Sequence, residues 1–158
     1  MEIVMKPDRS FLLVCLGNIC RSPLAEAALR EAAARTGVAI TVDSAGTGAW
    51  HVGHPPDPRA QAVALTHGID IAGYRARQVA VADYRRFTDI LALDRNNLAE
   101  LRRRAPNGAT ARIGLLLDAV PGRQGQAVAD PYYGDAAGFE ATWADVSAAA
   151  EAIVAGLR

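Results

Sequence analysis

The stretch FLLVCLGNICRSP, residues 11–23, runs a continuous apolar segment into a turn and then into a helix start. Phe11 to Leu16 carries no charged side chain, the pattern of a short strand buried on both faces. The run breaks at Gly17-Asn18, residues that tolerate left-handed backbone. Ser22 then suits a helix N-cap and Pro23 the first helical position. A buried strand that turns sharply into a helix presents successive backbone N–H groups together with the helix N-terminus. Such a loop is an anion site.

Apolar runs and Ala-rich helical stretches alternate through the rest of the chain. Strands are expected at 11–16, 39–45, 89–93 and 111–117. Helices are expected at 22–35, 58–67, 81–87, 94–104 and 138–157, with Gly37 and Gly68 as stop signals. Strands separated by helices imply a parallel sheet with right-handed crossovers, hence an α/β sandwich forming a single domain over residues 1–158. The loops 16–22, 46–57, 94–97 and 118–137 all follow strands, and in open α/β sheets ligands bind at the carboxyl ends of strands. Loop 118–137 is a further signal, because connections of that length in compact domains are usually functional.

The 158 residues are 51% hydrophobic and 22% charged, which fits neither a disordered chain nor a membrane protein. No apolar run approaches the ~20 residues of a spanning helix. The first residues carry no cleavable signal pattern, so a cytoplasmic protein is expected, with unconventional secretion left open. Basic and acidic residues balance at 17 each, unlike a general binder of nucleic acid or membrane surfaces. All the basic residues but Lys6 are arginines and alanine is abundant, a bias of high-GC bacterial coding. Cys15 and Cys20 are close enough in sequence to close only a tiny loop. A reduced compartment and a reactive thiol explain them better than a disulfide scaffold, with two buried apolar thiols as the plain alternative.

Cys15 opens the loop and Arg21 closes it, as Cys-x5-Arg. In so arginine-rich a chain that spacing arises by chance about one time in ten, so its setting carries the meaning. A sulfur at the loop start would face a ring of N–H donors, and an electropositive helix start favours the nucleophilic thiolate. The backbone of Leu16, Gly17, Asn18, Ile19, Cys20, Arg21 and Ser22 would cradle a phosphate. The Arg21 fork fits two phosphate oxygens and the charge of a transition state. Ser22 is placed to donate to the sulfur as it leaves. No lysine follows the loop, so the nucleotide cradle of the Gly-Lys-Ser/Thr kind is absent. An anion held on a nucleophile points to catalysis.

VCLGNICRSPLAEA, residues 14–27, closely resembles the active-site loop of the low-molecular-weight protein tyrosine phosphatases. DSAGTGAW at 43–50, Asp57-Pro58-Arg59-Ala60, Ala76-Arg77-Gln78 and Asp130-Pro131-Tyr132-Tyr133-Gly134 extend the likeness in the family's order. The resemblance implies a flavodoxin-like three-layer sandwich with a four-stranded parallel sheet, no metal or other cofactor, and a cysteinyl-phosphate intermediate. It makes Cys15 the nucleophile, Arg21 the phosphate clamp, and Asp130 the acid that protonates the leaving phenol and then activates water. A carboxylate before proline in a long loop with aromatic neighbours is compatible with that role; a simple Asp-Pro turn is the alternative. Asn18 and Ser44 would hold the loop's shape. Cys20 would form a protective disulfide with Cys15, or is merely a small filler. Implied partners are phosphotyrosine proteins, such as a bacterial kinase of exopolysaccharide export or a host protein.

Trp50, Tyr132 and Tyr133 lie in the flagged loops and read as pocket walls that sandwich a phenyl ring. Asp94 reads as a helix cap with a supporting role near the loop. His51, His54 and His67 have no metal-ligand spacing and read as surface or loop residues. Many relatives place a histidine three residues before the arginine of Ala-Arg-Gln, where this chain has Tyr74; a hydrogen bond from Tyr74 towards Asn18 is therefore expected, with a surface tyrosine on an irregular stretch as the alternative. Two rival functions remain. A thioredoxin-coupled arsenate reductase is similar in loop and fold, but would need further cysteines outside the loop. A phosphate- or phosphotyrosine-binding module would need the arginine and the cradle, but neither a thiol nor an acid.

Overall fold

The computed structural model of the chain describes residues 9–157. The signal-pattern reading falls partly on residues 1–8, which lie outside that range. The elements run β1 (Arg9–Cys15), α1 (Arg21–Thr36), β2 (Ile40–Gly46), α2 (Pro58–Thr66), α3 (Asp83–Arg86), β3 (Asp89–Ala92), α4 (Arg95–Arg104), β4 (Arg112–Leu115) and α5 (Ala136–Gly156). The four strands form one sheet in the order β2-β1-β3-β4, with every neighbouring pair parallel. This is the flavodoxin-like order, one strand short.

The unbroken apolar run of β1 follows from its place in the sheet. Successive strand side chains point to opposite faces. Phe11, Leu13 and Cys15 enter one core, with residues of α1, α2 and α5. Leu12 and Val14 enter the other, with Tyr84, Phe87 and Leu101. A strand between two cores has no face left for polar residues. Among the described residues, no helix is long and apolar enough to cross a membrane.

Most boundaries differ from the sequence expectations by one or two residues, and three of the differences have a clear local reason. Helix α1 starts at Arg21 with Cys20 in the cap position and no side-chain cap, so Ser22 is not the N-cap; its hydroxyl is engaged by the loop instead. Strand β4 ends at Leu115, and Leu116–Ala119 forms a single 3-10 turn. Leu116 and Leu117 are buried in that turn, and an apolar run alone does not separate a strand from a buried turn. Helix α5 begins at Ala136 because Asp135 caps it, accepting the Gly138 N–H at 3.2 Å.

The chain leaves β1 towards β2 and later crosses back to β3, so the strand order reverses beside β1. The loops after β1, β2 and β3 meet at this switch point, where open α/β sheets bind ligands. Thr47 and Gly48, just past β2, donate to the carbonyls of Cys15 and Leu16, each at 2.9 Å. Val128 of the long loop donates to the Leu93 carbonyl at 2.8 Å.

Candidate active site

The loop from Cys15 to Ser22 wraps around the sulfur of Cys15. The Asn18 N–H lies 3.3 Å from that sulfur and the Ser22 hydroxyl 3.0 Å from it. Asn18 makes the wrap possible: it is the non-glycine residue with positive φ among the described residues, at 57°. Gly17 does not share that conformation, contrary to the sequence reading. Its missing side chain matters sterically, since a Cβ there would sit 3.0 Å from the His51 ring. The buried Asn18 amide donates to Ser22 Oγ at 2.8 Å and Ser44 Oγ at 2.9 Å, and accepts the Arg77 N–H at 3.0 Å. The N–H groups of Leu16, Gly17, Ile19 and Cys20 have no protein acceptor among the described residues. A loop with that many open donors at a pocket is suited to an anion.

Arg21 opens α1 with its guanidinium almost fully buried, its side chain 4% exposed. Its Nη1 donates to Asp94 Oδ2 at 2.7 Å and to the Val128 carbonyl at 3.0 Å. Its Nη2 lies 3.5 Å from Asp130 Oδ2. Asp94 therefore fills both expected roles, because its other oxygen caps α4 by accepting the Asn97 N–H at 2.7 Å. Asp130 is exposed at the mouth of the site, and its Oδ1 accepts the Tyr132 N–H at 3.0 Å. Cys15, Arg21 and Asp130 line one pocket of about 210 Å3, with Trp50, Tyr132 and Tyr133 around them.

A family model described as low molecular weight phosphotyrosine protein phosphatase matches residues 10–158. The chain belongs to that family. It is 43% identical over 138 residues to the fission yeast low molecular weight phosphotyrosine protein phosphatase, spanning 85% of this chain and 88% of that protein. It is 46% identical over 126 residues to the Bacillus subtilis low molecular weight protein-tyrosine-phosphatase YfkJ, spanning 78% of this chain and 81% of that protein. The YfkJ crystal structure superposes with a TM-score of 0.87, at 40% identity, covering 96% of this chain and 95% of that one. The crystal structure of DARP, drosophila arginine phosphatase, reaches the same TM-score of 0.87 at 31% identity, covering 92% of this chain and 96% of that one.

The walls of this phosphatase's pocket are aromatic and open. Trp50 is 71% exposed and Tyr133 96% exposed, while Tyr132 meets Tyr133 edge to face at 4.9 Å. Gly48 makes room for Trp50, whose ring would come within 1.9 Å of a Cβ at that position. Cys20 is buried beside Cys15, and both thiols are free. Burial pushes the Cys20 thiol well above its ordinary range, and the carboxylates of Asp57 and Asp130 add to the shift. The sequence reading missed His51, which lines the pocket beside Trp50. His54 and His67 lie outside it, and no group of potential ligands among the described residues is arranged to hold a metal.

Tyr74 is the site residue that the structure moves elsewhere. The donors and the acceptor oxygen of Asn18 are engaged by Ser22, Ser44 and Arg77, and Tyr74 is not among these partners. Its half-buried ring instead lies 5.4 Å from the Arg30 guanidinium. Arg30 holds the buried Glu26 at 2.7 Å, and Glu26 accepts the Ser44 hydroxyl at 2.6 Å. Tyr74 thus borders the outer end of the chain Arg30–Glu26–Ser44–Asn18. Burial raises the pKa of Glu26, opposed by the Ser44 hydrogen bond and the Arg30 charge.

Proposed function

We propose that this protein tyrosine phosphatase hydrolyses phosphotyrosine in proteins, and small aryl phosphates, through a cysteinyl-phosphate intermediate. The observation that carries the reading is the Cys15 sulfur, held by the Asn18 N–H, in one pocket with a loop of open N–H groups and buried Arg21. The Cys15 thiolate attacks phosphorus, forming the S–P bond as the P–O bond to the phenol breaks. Asp130 gives its proton to the departing phenolate oxygen. Asp130 then takes a proton from the attacking water, the S–P bond breaks, and inorganic phosphate leaves. Arg21 and the loop N–H groups of Leu16, Gly17, Ile19, Cys20 and Ser22 hold the phosphoryl oxygens throughout, and Ser22 steadies the departing sulfur. Asn18 and Ser44 keep the loop in shape. The aromatic walls of Trp50, Tyr132 and Tyr133 suit a phenyl ring and give the phosphate a deep approach.

Residues 1–158 are read as one phosphatase domain, supported by the family match over 10–158. A cytoplasmic bacterial setting is part of the proposal. A tyrosine kinase of exopolysaccharide export and host proteins are the first substrate candidates. Redox control by a Cys15–Cys20 disulfide completes it, supported by the two free thiols lining one pocket. The test uses phosphotyrosine peptide, phosphoarginine and p-nitrophenyl phosphate. Cys15→Ser should abolish turnover of the phosphotyrosine peptide while still binding vanadate. Residual hydrolysis above about a thousandth of wild type, a loss far smaller than removal of a covalent nucleophile entails, refutes the nucleophile. Preferential turnover of phosphoarginine refutes the substrate class.

A further inference from the structure

Arg59 lies outside the pocket lining, yet its contacts join the two loops that the proposed chemistry must hold in register. Asp57 is anchored to the phosphate loop, where its N–H donates to the Ile19 carbonyl at 2.9 Å. The Asp57 side chain caps α2 by accepting the Arg59 N–H at 2.8 Å. The same carboxylate takes Arg59 in a two-point grip, Oδ1 from Nε at 3.1 Å and Oδ2 from Nη2 at 3.0 Å. The far edge of the guanidinium reaches the acid loop: Nη1 donates to the Gly134 carbonyl at 3.1 Å and Nη2 to the Tyr132 carbonyl at 2.9 Å. The Tyr132 and Phe139 rings flank the cation at 5.7 and 4.7 Å.

Ahead of the turn the acid loop is held by Leu93 and Arg21 at Val128, and Arg21 Nη2 lies 3.5 Å from Asp130 Oδ2; the turn itself is held by Arg59. Pro131 to Gly134 is a turn closed internally by the Gly134 N–H on the Pro131 carbonyl at 2.8 Å. Among the described residues, Arg59 is the side chain from outside the loop that hydrogen-bonds to this turn. Asp130 immediately precedes the turn and is tied into it through the Tyr132 N–H. The tether therefore runs from Ile19 through Asp57 and Arg59 to the residues that fix Asp130. Its four side-chain bonds need a planar fork, which a lysine ammonium does not supply.

We propose that Arg59 is a positioning residue, a clasp that holds Asp130 over the sulfur of Cys15 by fastening the acid loop to the phosphate loop. The proposal rests on the reading of Asp130 as the general acid. Arg59 touches neither phosphate nor nucleophile, so removing it leaves phosphate binding intact and weakens the proton transfer to the leaving group.

The experiment measures kcat/KM over aryl phosphates whose leaving groups run from phenol to dinitrophenol, for wild type, Arg59→Met, Arg59→Lys, Asp130→Asn and Arg59→Met/Asp130→Asn. Arg59→Met should cut kcat/KM about tenfold or more for phenyl phosphate and about twofold or less for dinitrophenyl phosphate, which needs no proton. Arg59→Lys should follow Arg59→Met. Inhibition by inorganic phosphate should stay within about twofold of wild type, since the N–H cradle is untouched. With Asp130→Asn already present, Arg59→Met should cost nothing further, the non-additivity of two residues acting through one group. An equal loss for all leaving groups, or a full additional loss on top of Asp130→Asn, overturns the clasp. A leaving-group-independent loss in Asp130→Asn alone overturns the acid assignment instead, and the two failures are read from separate variants.

Discussion

Asn18→Ala is the sharpest test of how the phosphate loop is held. The wild-type side chain is 3% exposed and makes hydrogen bonds of 2.8, 2.9 and 3.0 Å to Ser22, Ser44 and the Arg77 N–H. Each is worth about 0.5–1.5 kcal/mol net, so losing all of them costs about 1.5–4.5 kcal/mol. The backbone φ of 57° adds to this, because alanine pays ~1–2 kcal/mol in the left-handed region where asparagine is tolerated. The total is about 2.5–6.5 kcal/mol, a large part of the ~5–15 kcal/mol by which a domain is stable. Ser44→Ala removes fewer bonds, those to Asn18 and Glu26, and should cost about 1–3 kcal/mol. Urea unfolding followed by far-ultraviolet circular dichroism measures both. Activity should fall further than stability in Asn18→Ala, because the Asn18 N–H also faces the Cys15 sulfur. A destabilisation within about 1 kcal/mol of zero in Asn18→Ala, with hydrolysis of p-nitrophenyl phosphate unchanged, refutes the reasoning.

Gly46→Ala should destabilise by about 1–3 kcal/mol and lower kcat/KM, because its Cβ would stand 2.7 Å from the Leu16 carbonyl oxygen and 3.2 Å from the Asn18 nitrogen, backbone atoms with nowhere to go; wild-type unfolding and kinetics would remove that steric account. Burial raises Glu26 above its ordinary value of 4.5, so the folded state holds that proton more tightly than the unfolded chain, and the associated stability is complete below about pH 4.5 and lost as pH rises through the folded pKa. The unfolding free energy of wild type minus that of Glu26→Gln should therefore decline as pH rises from 4.5, and a flat or rising difference contradicts the sign. Mild peroxide should convert the Cys15 thiol to a sulfenic acid with release of water; attack by the Cys20 sulfur then forms the disulfide and releases a second water. Because burial keeps Cys20 protonated, bridge formation should accelerate as pH rises, and mass spectrometry showing a pH-independent rate counts against it.

The catalytic loop was legible because its signals are contiguous. The apolar run of β1, the left-handed turn at Asn18 and the start of α1 lie within a few residues of one another. Asp94 was legible for a similar reason: a carboxylate after a strand caps the next helix, and its free oxygen then meets Arg21. Ser22 was legible as an element start but misassigned as a cap. Its hydroxyl had two uses, and the loop's sulfur and Asn18 outcompete the helix terminus for it. The Leu116-Leu117 extension of β4 failed because burial leaves the same apolar trace in a strand and in a 3-10 turn.

What the sequence hid lies in pairings between distant segments. His51 is one residue past Trp50 in a loop without periodicity, so nothing local turns its ring towards the pocket. Arg59 looks like an ordinary partner for Asp57 two residues away, and only the folded chain shows that its other edge reaches Tyr132 and Gly134. Tyr74 failed for a different reason. Aligning it with a histidine fixes a place on the chain but not the direction of a larger ring with one polar atom at its far end. In a family relative the imidazole is the expected support for the loop asparagine; here the Arg77 N–H, Ser22 and Ser44 complete that coordination without it. Behind them stand Glu26 beneath Ser44 and Arg30 beside Tyr74. A neutral tyrosine at this position leaves Arg30 as the cation facing Glu26. The outer brace is therefore a guanidinium, and burial raises the pKa of the Glu26 carboxyl that it holds.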